Sequence, residues 1–216
     1  MTFLTDVFAL FSLAVASCAG VLGLYQLARP PSAKGGANGW AKAGILALFL
    51  VLLVPIPGAG IPMAGYFRGF VGDLSITIFA LSVWSLCHRL FGMKALGKRD
   101  LAALLLVVGA ASLLLYTTAL GWGDWDAYRL GWGSWWFLSA LLALSGISAW
   151  SSLRVLPALI ALALLAWSAG LMESGNLWDY LLDPWLSAFA LVFIFIKCSQ
   201  SLFKRFANRS KNRSSH

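Results

Sequence analysis

Long apolar runs separated by short polar segments make up most of this sequence. The runs are rich in Leu, Ala and Val, and each is about 20 residues long, the length that a helix needs to cross a hydrocarbon layer. Alternating segments of about 10 residues, typical of transmembrane β-strands, do not occur. The pattern therefore predicts an all-α polytopic membrane protein with about seven transmembrane helices, which we place at residues 3–28, 41–63, 74–93, 101–120, 134–152, 154–172 and 184–203.

The composition supports the prediction of a membrane-embedded protein. Of the 216 residues, 60% are hydrophobic and only 11% are charged, and the mean hydropathy is +0.82. A water-soluble protein of this size would need many more charged residues on its surface. Because no polar segment is long enough to form a separate domain, we expect a single transmembrane helical domain over residues 1–203 and a basic, disordered cytoplasmic tail over residues 204–216.

The Lys and Arg residues are distributed unevenly between the two predicted sides of the membrane. The intervals after the first, third and fifth helices and the C-terminal tail, together with the helix ends beside them, hold 14 of the 16 cations. The opposite side holds only Arg68 and Arg129, but it contains seven of the eight acids. By the positive-inside rule, the N-terminus lies outside and the C-terminus lies in the cytoplasm. We therefore expect a multi-pass protein of a plasma membrane, the inner membrane of a bacterium.

The net charge of +8 does not indicate nucleic-acid binding. Many of the cations lie in the C-terminal segment KRFANRSKNRSSH, directly after the last predicted helix. Retention on the cytoplasmic side and attraction to anionic lipids explain a basic segment at this position. We expect the lipid bilayer, and no nucleic acid, to be the partner of this tail.

The sequence predicts no cofactor and no metal site. Its three cysteines form no CxxC motif, and one of its two histidines is the last residue, which disfavours metal and haem ligation. Mid-helix ionisable residues, on which ion-coupled transport depends, are also missing from the predicted helices. The segment VASCAG resembles a lipoprotein cleavage site, but no cation precedes Cys18, so we expect Cys18 to be a buried residue of the first helix.

The segment GWGDWDAYRLGWGS, residues 121–134, is a polar and aromatic connection on the predicted outer side. A second outer connection, ESGNLWDYLLDPW, residues 173–185, has a weakly similar arrangement of Trp, Asp and Tyr. Some polar residues near the predicted helix starts occupy positions typical of N-caps. We assign a capping role to Asp73, Ser134 and Asp183 on the outer side and to Asp100 on the inner side.

The remaining polar residues of the outer connections form a candidate binding cluster. Asp126 and Arg129 are three residues apart and can pair in a helical turn, and Asp179 and Asp183 can share one face of a short helix. Carboxylates beside aromatic rings suit sugars, whose hydroxyls donate to Asp and whose C–H faces stack on indoles. The candidates are Asp124, Asp126, Arg129, Trp125, Tyr128, Glu173, Asp179, Trp178 and Arg68.

The tryptophans are concentrated on the same side. Seven lie on the predicted outer side and two near the inner side, while Trp84 and Trp167 fall in the middle of predicted helices. This excess is more than aromatic belts at both interfaces require. A belt combined with loop helices that lie flat in the interface would nevertheless explain the same residues, so both interpretations stay open.

Two functions are compatible with this sequence. In the first, the outer loops bind a polar headgroup, such as that of a sugar-bearing lipid, or a partner membrane protein of the cell envelope. In the second, the protein is an enzyme that acts on a lipid-linked saccharide from the periplasmic face, with two loop carboxylates about 5 to 10 Å apart as acid and base. Two carboxylates that face one Trp-walled cavity would favour the enzyme, whereas separately placed carboxylates would favour binding.

The orientation can be tested with reporter fusions. We expect a phosphatase fused after His216 to be inactive, because the distribution of cations keeps the C-terminus in the cytoplasm. A cytoplasmic fluorescent reporter at the same position should be active. Phosphatase activity in the periplasm would contradict the orientation.

Overall fold

The structure, a computed structural model, describes residues 3–29 and 37–213, with side chains as far as residue 200. Within these residues the regular structure is helical, as the sequence predicts, apart from one isolated bridge between Pro55 and Pro62. Each predicted helix corresponds to one of the longer helices, which are α1 (Phe3–Ala28), α2 (Gly39–Leu53), α4 (Ile76–Phe91), α5 (Lys98–Ala119), α6 (Trp135–Trp150), α7 (Val155–Ser168) and α9 (Pro184–Arg213). The connections contain three short helices: α3 (Met63–Val71), a 3₁₀ helix (Ala127–Gly131) and α8 (Leu177–Leu181).

Two helices, α1 and α5, are long and apolar enough to cross a membrane. Five other apolar helices are shorter, namely α2, α4, α6, α7 and the part of α9 that ends at Gln200. At 1.5 Å per residue, α1 extends about 39 Å and α7 about 21 Å, compared with roughly 30 Å for a hydrocarbon layer. Length and composition therefore identify two candidate membrane-spanning helices in the described part of the chain.

Helix α2 ends at Leu53, well before the predicted end at residue 63. Val54, which precedes Pro55, is extended, because the proline ring disfavours a helical conformation at the residue before it. The chain then turns through Gly58 and Gly60, both of which have positive φ. The apolar run therefore ends in a turn, and a further helix, α3, forms in the connection that follows it, where the sequence pattern predicts none.

Left-handed glycines end two further helices. Gly92, with φ of 72°, follows α4, and Gly170, with φ of 62°, lies just beyond the end of α7; both positions favour glycine. Because α7 ends at Ser168 and not at the predicted residue 172, the prediction that Trp167 lies in mid-helix is wrong. Helix α9, in contrast, continues past the predicted end at residue 203 to Arg213, into the segment for which the sequence predicts disorder.

Two of the predicted capping residues have other roles. Ser75, and not Asp73, caps α4 by accepting from the Ile78 N–H at 3.2 Å. Asp100 lies in the first turn of α5, where its Oδ1 accepts from the Arg154 N–H at 3.0 Å and so binds the start of α7. A carboxylate at a helix N-terminus is favourable because the first N–H groups have no partner within their own helix.

The other two predicted caps are in the expected positions. Asp183 precedes α9 and its Oδ1 accepts from the Leu186 N–H at 2.9 Å. Its Oδ2 accepts from the Ser75 N–H at 3.2 Å and from the Ser75 hydroxyl at 2.7 Å. One buried carboxylate therefore joins the starts of α4 and α9. Ser134 is the N-cap residue of α6, although its side chain makes no capping hydrogen bond.

The helices pack in two groups that meet at α4 and α7. Helix α1 packs on α2, α3 and α4, whereas α5 packs on α9, and α7 contacts α4, α5, α6 and α8. The larger core contains Leu104, Ile160, Ala163 and Tyr180. Cys18 lies in the smaller core, where it is 1% exposed, and α1 continues beyond it to Ala28; its predicted position as a buried helix residue is confirmed.

The connections that the sequence places on the outer side meet at one end of the bundle, which we call the acidic end. There Arg68 binds Asp6 and Glu173, and the Ala127 N–H donates to Thr118 at the end of α5. At the opposite end, the Ala37 N–H donates to the Arg89 carbonyl at 3.1 Å, and Asp100 binds the start of α7. The long helices therefore alternate in direction between two ends that differ in charge, in agreement with the division that the sequence predicts.

Candidate functional site

Two connections at the acidic end are joined by hydrogen bonds between side chains of one and backbone carbonyls of the other. The Trp178 indole N–H donates to the Ala127 carbonyl at 2.9 Å, and the Asn176 side-chain amide donates to the Tyr128 carbonyl at 2.9 Å. Both carbonyls belong to the 3₁₀ helix, and a carbonyl oxygen has two lone pairs, so each can accept from a side chain of the second connection in addition to a bond within the helix. We call the joined segments, residues 121–134 and 172–183, the loop platform.

Asn176 is the buried centre of the loop platform. Its side-chain oxygen accepts from the Trp178 N–H at 3.0 Å and caps α8, while its side-chain amide reaches the 3₁₀ helix. A methyl group at Gly131 would lie only 1.7 Å from that oxygen and 2.8 Å from the Trp178 ring. Gly131 is therefore required for the two connections to approach each other this closely.

Tyr128 and Asp179 make a third link across the loop platform. The Tyr128 hydroxyl donates to Asp179 Oδ2 at 2.9 Å, and the Ser174 hydroxyl donates to the same oxygen. Burial, and then the hydrogen bond to Asp179, raise the pKa of Tyr128 from its usual 10.0 to about 12. The phenol therefore stays protonated, as the donor to a carboxylate, well above the usual pH range of a tyrosine.

Two proposed pairings of charged residues do not form. Asp126 caps the 3₁₀ helix by accepting from the Tyr128 N–H at 2.9 Å, and it makes no ion pair with Arg129 in the described part of the chain. Asp179 lies within α8, whereas Asp183 lies beyond the extended residue Leu182 and starts α9. The two carboxylates therefore do not share a helix face.

The loop platform leaves a small set of its candidate residues exposed. Asp124 and Arg129 are exposed, and among the described residues neither side chain makes an ion pair or a hydrogen bond. Trp125 is 51% exposed, whereas Trp178 is only 5% exposed and has its N–H bonded within the protein. Trp178 is thus a structural residue of the loop platform and is not available to stack on a ligand. Other exposed indoles lie nearby in the sequence: Trp122, Trp132, Trp135 and Trp136.

A separate cluster surrounds Arg68, one turn before the end of α3. Its guanidinium binds Asp73 through two nitrogens at 2.6 and 3.1 Å, Asp6 at 2.7 Å and Glu173 at 2.8 Å. The hydrogen bond to Asp73 is the main cause that raises the pKa of Arg68; burial opposes it, and Asp6 and Glu173 add to the increase. Three carboxylates on one cation leave an excess of negative charge, and they connect the start of α1, the α3–α4 junction and the α7–α8 connection.

The four candidate acids therefore have four different environments. Glu173 belongs to the Arg68 cluster, Asp179 is held by Tyr128 and Ser174, Asp126 is a cap, and Asp124 is exposed. In the described structure, no two of them bind the same donor group, although Asp126 and Asp179 both bind Tyr128, the first through its N–H and the second through its hydroxyl. The four acids therefore do not gather around a single donor group.

Several residues that build the site are not identified from the sequence. Asn176 and Gly131 hold the two connections together, and Asp6 and Asp73 complete the Arg68 cluster. The position of Asn176 just before an apolar, aromatic segment is a signal for an N-cap. Asp6 and Arg68 are 62 residues apart, and no local pattern indicates their contact.

Comparison of the chain with protein-family models, with curated proteins and with solved structures finds no match. The function is therefore inferred from the chemistry that the acidic end presents. That chemistry is an ordered surface of indoles with an exposed carboxylate and an exposed guanidinium, above an apolar bundle.

The link between Tyr128 and Asp179 makes the stability of the loop platform depend on pH. Because the pKa of Tyr128 is raised to about 12, its contribution to stability is complete below about pH 10 and is lost as the pH rises through about 12. We expect the melting temperature of the wild-type protein to fall more between these pH values than that of Tyr128→Phe. Tyrosinate absorbance of the wild type and of Tyr128→Phe should differ only at high pH, at about 12, because the tyrosine that the variant lacks is the one with the raised pKa. A Tyr128 that ionises near its usual pKa would contradict the link to Asp179.

Proposed function

We propose that this chain is a multi-pass membrane protein, of a bacterial inner membrane, whose loop platform lies outside and binds the polar headgroup of a sugar-bearing lipid. Two candidate membrane-spanning helices and five shorter apolar helices support insertion into a bilayer. The concentration of cations at the other end of the bundle supports the orientation. Short helices such as α6 and α7 fit a multi-pass bundle if the bilayer thins locally around them.

The observation that carries the proposal is that some residues of the loop platform are bonded within the protein, whereas others are exposed to a ligand. Asn176, Trp178, Tyr128 and Asp179 hold the surface in place through buried or partly buried hydrogen bonds. The exposed side chains are then free to contact a ligand, while the backbone near them is already held in place. Preorganisation of this kind reduces the entropy lost on binding.

The exposed residues have the chemistry that a sugar headgroup needs. Asp124 can accept hydrogen bonds from hydroxyl groups, and Arg129 can donate to ring or hydroxyl oxygens or to a phosphate. Trp125 presents an indole face on which the C–H face of a sugar ring can stack. Because the Arg68 cluster adds negative charge to the same end, a neutral or hydroxyl-rich headgroup suits this surface better than a polyanionic one.

Binding is better supported than catalysis by the same residues. An acid and a base would need two carboxylates around one bond, with one of them protonated. The carboxylates that do lie together, those of Asp6, Asp73 and Glu173, all bind the guanidinium of Arg68 and are used in ion pairs within the protein. Ion pairs of this kind favour a structural role for these carboxylates.

The proposal is tested by changing the exposed carboxylate and comparing it with a matched control. Asp124→Asn should weaken binding of a diglucosyl diacylglycerol about 10- to 150-fold, because a lost charge-assisted hydrogen bond costs roughly 1.5 to 3 kcal/mol. Trp125→Ala should give a similar loss through reduced stacking. Binding can be measured by native mass spectrometry of the protein in detergent, titrated with this lipid.

Asp126→Asn is the control, because it removes the same charge from the same connection. Asparagine can still accept from the Tyr128 N–H and cap the 3₁₀ helix, so binding should stay near the wild-type level. Equal losses in both variants would show that only the general negative charge matters. If Asp124→Asn bound the lipid as well as the wild type does, the proposed site would be wrong. If the wild type but not Asp124→Asn captured an envelope protein, the loop platform would be assigned to a protein partner instead.

A further inference from the structure

Below the loop platform, helices α5 and α6 are separated by an apolar slot of about 320 Å³. Ala111 of α5, Ala140 of α6 and Ile160 of α7 line its middle, and Thr77 of α4 is the one lining residue with a hydroxyl. The other lining residues are aliphatic or aromatic. The slot is thus a long, almost wholly apolar space between two helices that the segment 121–134 connects.

The position of the slot links it to the loop platform. Leu130 of the 3₁₀ helix and Trp178 of α8 line its upper end, whereas Leu104 and Leu156, near the starts of α5 and α7, line its lower end. Ala140 and Trp136 line the slot and are also exposed, so it is open along α6 to the outside of the bundle. A ligand in the slot would therefore extend from the loop platform towards the opposite end of the bundle.

The lining and the position of the slot select the kind of occupant. The lining is apolar and has no charged side chain, and the slot is open along α6. Its upper end begins at Leu130 and Trp178 of the loop platform, so a hydrocarbon chain attached to a headgroup on that platform can enter the slot directly. A transmembrane helix of a partner or of a second copy would have no such connection to the headgroup site. A single hydrocarbon chain therefore matches both the lining and the position of the slot.

We propose that the slot holds one hydrocarbon chain of the lipid whose headgroup lies on the loop platform. This inference rests on the proposed function, and it specifies the ligand as a lipid with at least one long chain, either fatty acyl or polyisoprenyl. The hydrocarbon of a bilayer is as apolar as the slot, so the chain gains packing contacts there but little from the hydrophobic effect. The headgroup supplies affinity, and the slot fixes the position of the lipid.

The proposal is tested by photo-crosslinking in nanodiscs with two probes used separately. One is a diglucosyl diacylglycerol with a diazirine in the middle of one acyl chain, and the other is a glucosyl polyisoprenyl phosphate with the same group in its chain. We expect peptides that contain Ala111 or Ala140 to be labelled far more than Leu46, an exposed residue of α2. Labelling by the first probe alone would identify an acyl chain, and labelling by the second alone a polyisoprenyl chain; either supports the proposal.

A matched pair of variants shows whether the chain enters the slot. Ala140→Trp fills the slot and should reduce labelling at Ala111 at least about tenfold, because the space no longer admits a chain. Ala143→Trp places the same side chain on an exposed position of α6 outside the slot lining and should leave labelling unchanged. Labelling that is uniform over the exposed helix faces, or that Ala140→Trp does not reduce, would overturn the proposal.

The two proposals fail in different ways. If Asp124→Asn weakens lipid binding but the slot is not labelled, the headgroup site stands and the chain site is wrong. If the slot is labelled and Ala140→Trp blocks it while Asp124→Asn binds the same lipid normally, the chain site stands and the headgroup site is wrong. Size-exclusion chromatography of Ala140→Trp and Ala143→Trp checks that both variants are folded.

Discussion

The acidic end depends on two hydrogen bonds that join its two connections, from the indole of Trp178 to the Ala127 carbonyl and from the side-chain amide of Asn176 to the Tyr128 carbonyl. Both donors are buried and need acceptors. The acceptors lie about 50 residues earlier in the chain, so the two connections must approach each other closely. This requirement explains why Gly131 has no side chain at the point of contact. It also explains why Trp178, which resembles a ligand-stacking residue in the sequence, is buried instead.

The other features of the acidic end follow from the position of this contact. The α7–α8 connection carries Glu173 to Arg68, and α8 leads directly to Asp183, whose carboxylate joins the starts of α9 and α4. The same contact places Leu130 and Trp178 over the space between α5 and α6. The proposed headgroup site, the proposed chain site and the charge cluster are therefore connected through one set of buried hydrogen bonds, so a change at Gly131 or Asn176 should affect all three.

The sequence predicts the apolar elements well and the polar contacts poorly. Apolar runs of about 20 residues locate all the longer helices, because length and composition identify such segments without any knowledge of the packing. The run 41–63 conceals the turn at Pro55, however, and the helix α3 forms in the connection that follows it. Asp183 is recognisable as a cap because Pro184 follows it directly, whereas Asp73 and Asp100 are assigned to the wrong partners. The hydrogen-bond partner of each acid depends on how the helices pack. Asp6 and Arg68 are too far apart in the sequence for a local pattern to predict their contact.

Hydrogen–deuterium exchange tests most directly whether the two connections form one unit. Gly131→Ala forces a methyl group onto the Asn176 side chain, so amides in both 121–134 and 172–183 should lose protection together, while α1 keeps its protection. Gly146→Ala, at a helical glycine with open space around it, is the control and should leave both connections protected. If Gly131→Ala exposed only residues 121–134 and left 172–183 fully protected, the two connections would be independent, and the central claim of a single loop platform would be wrong.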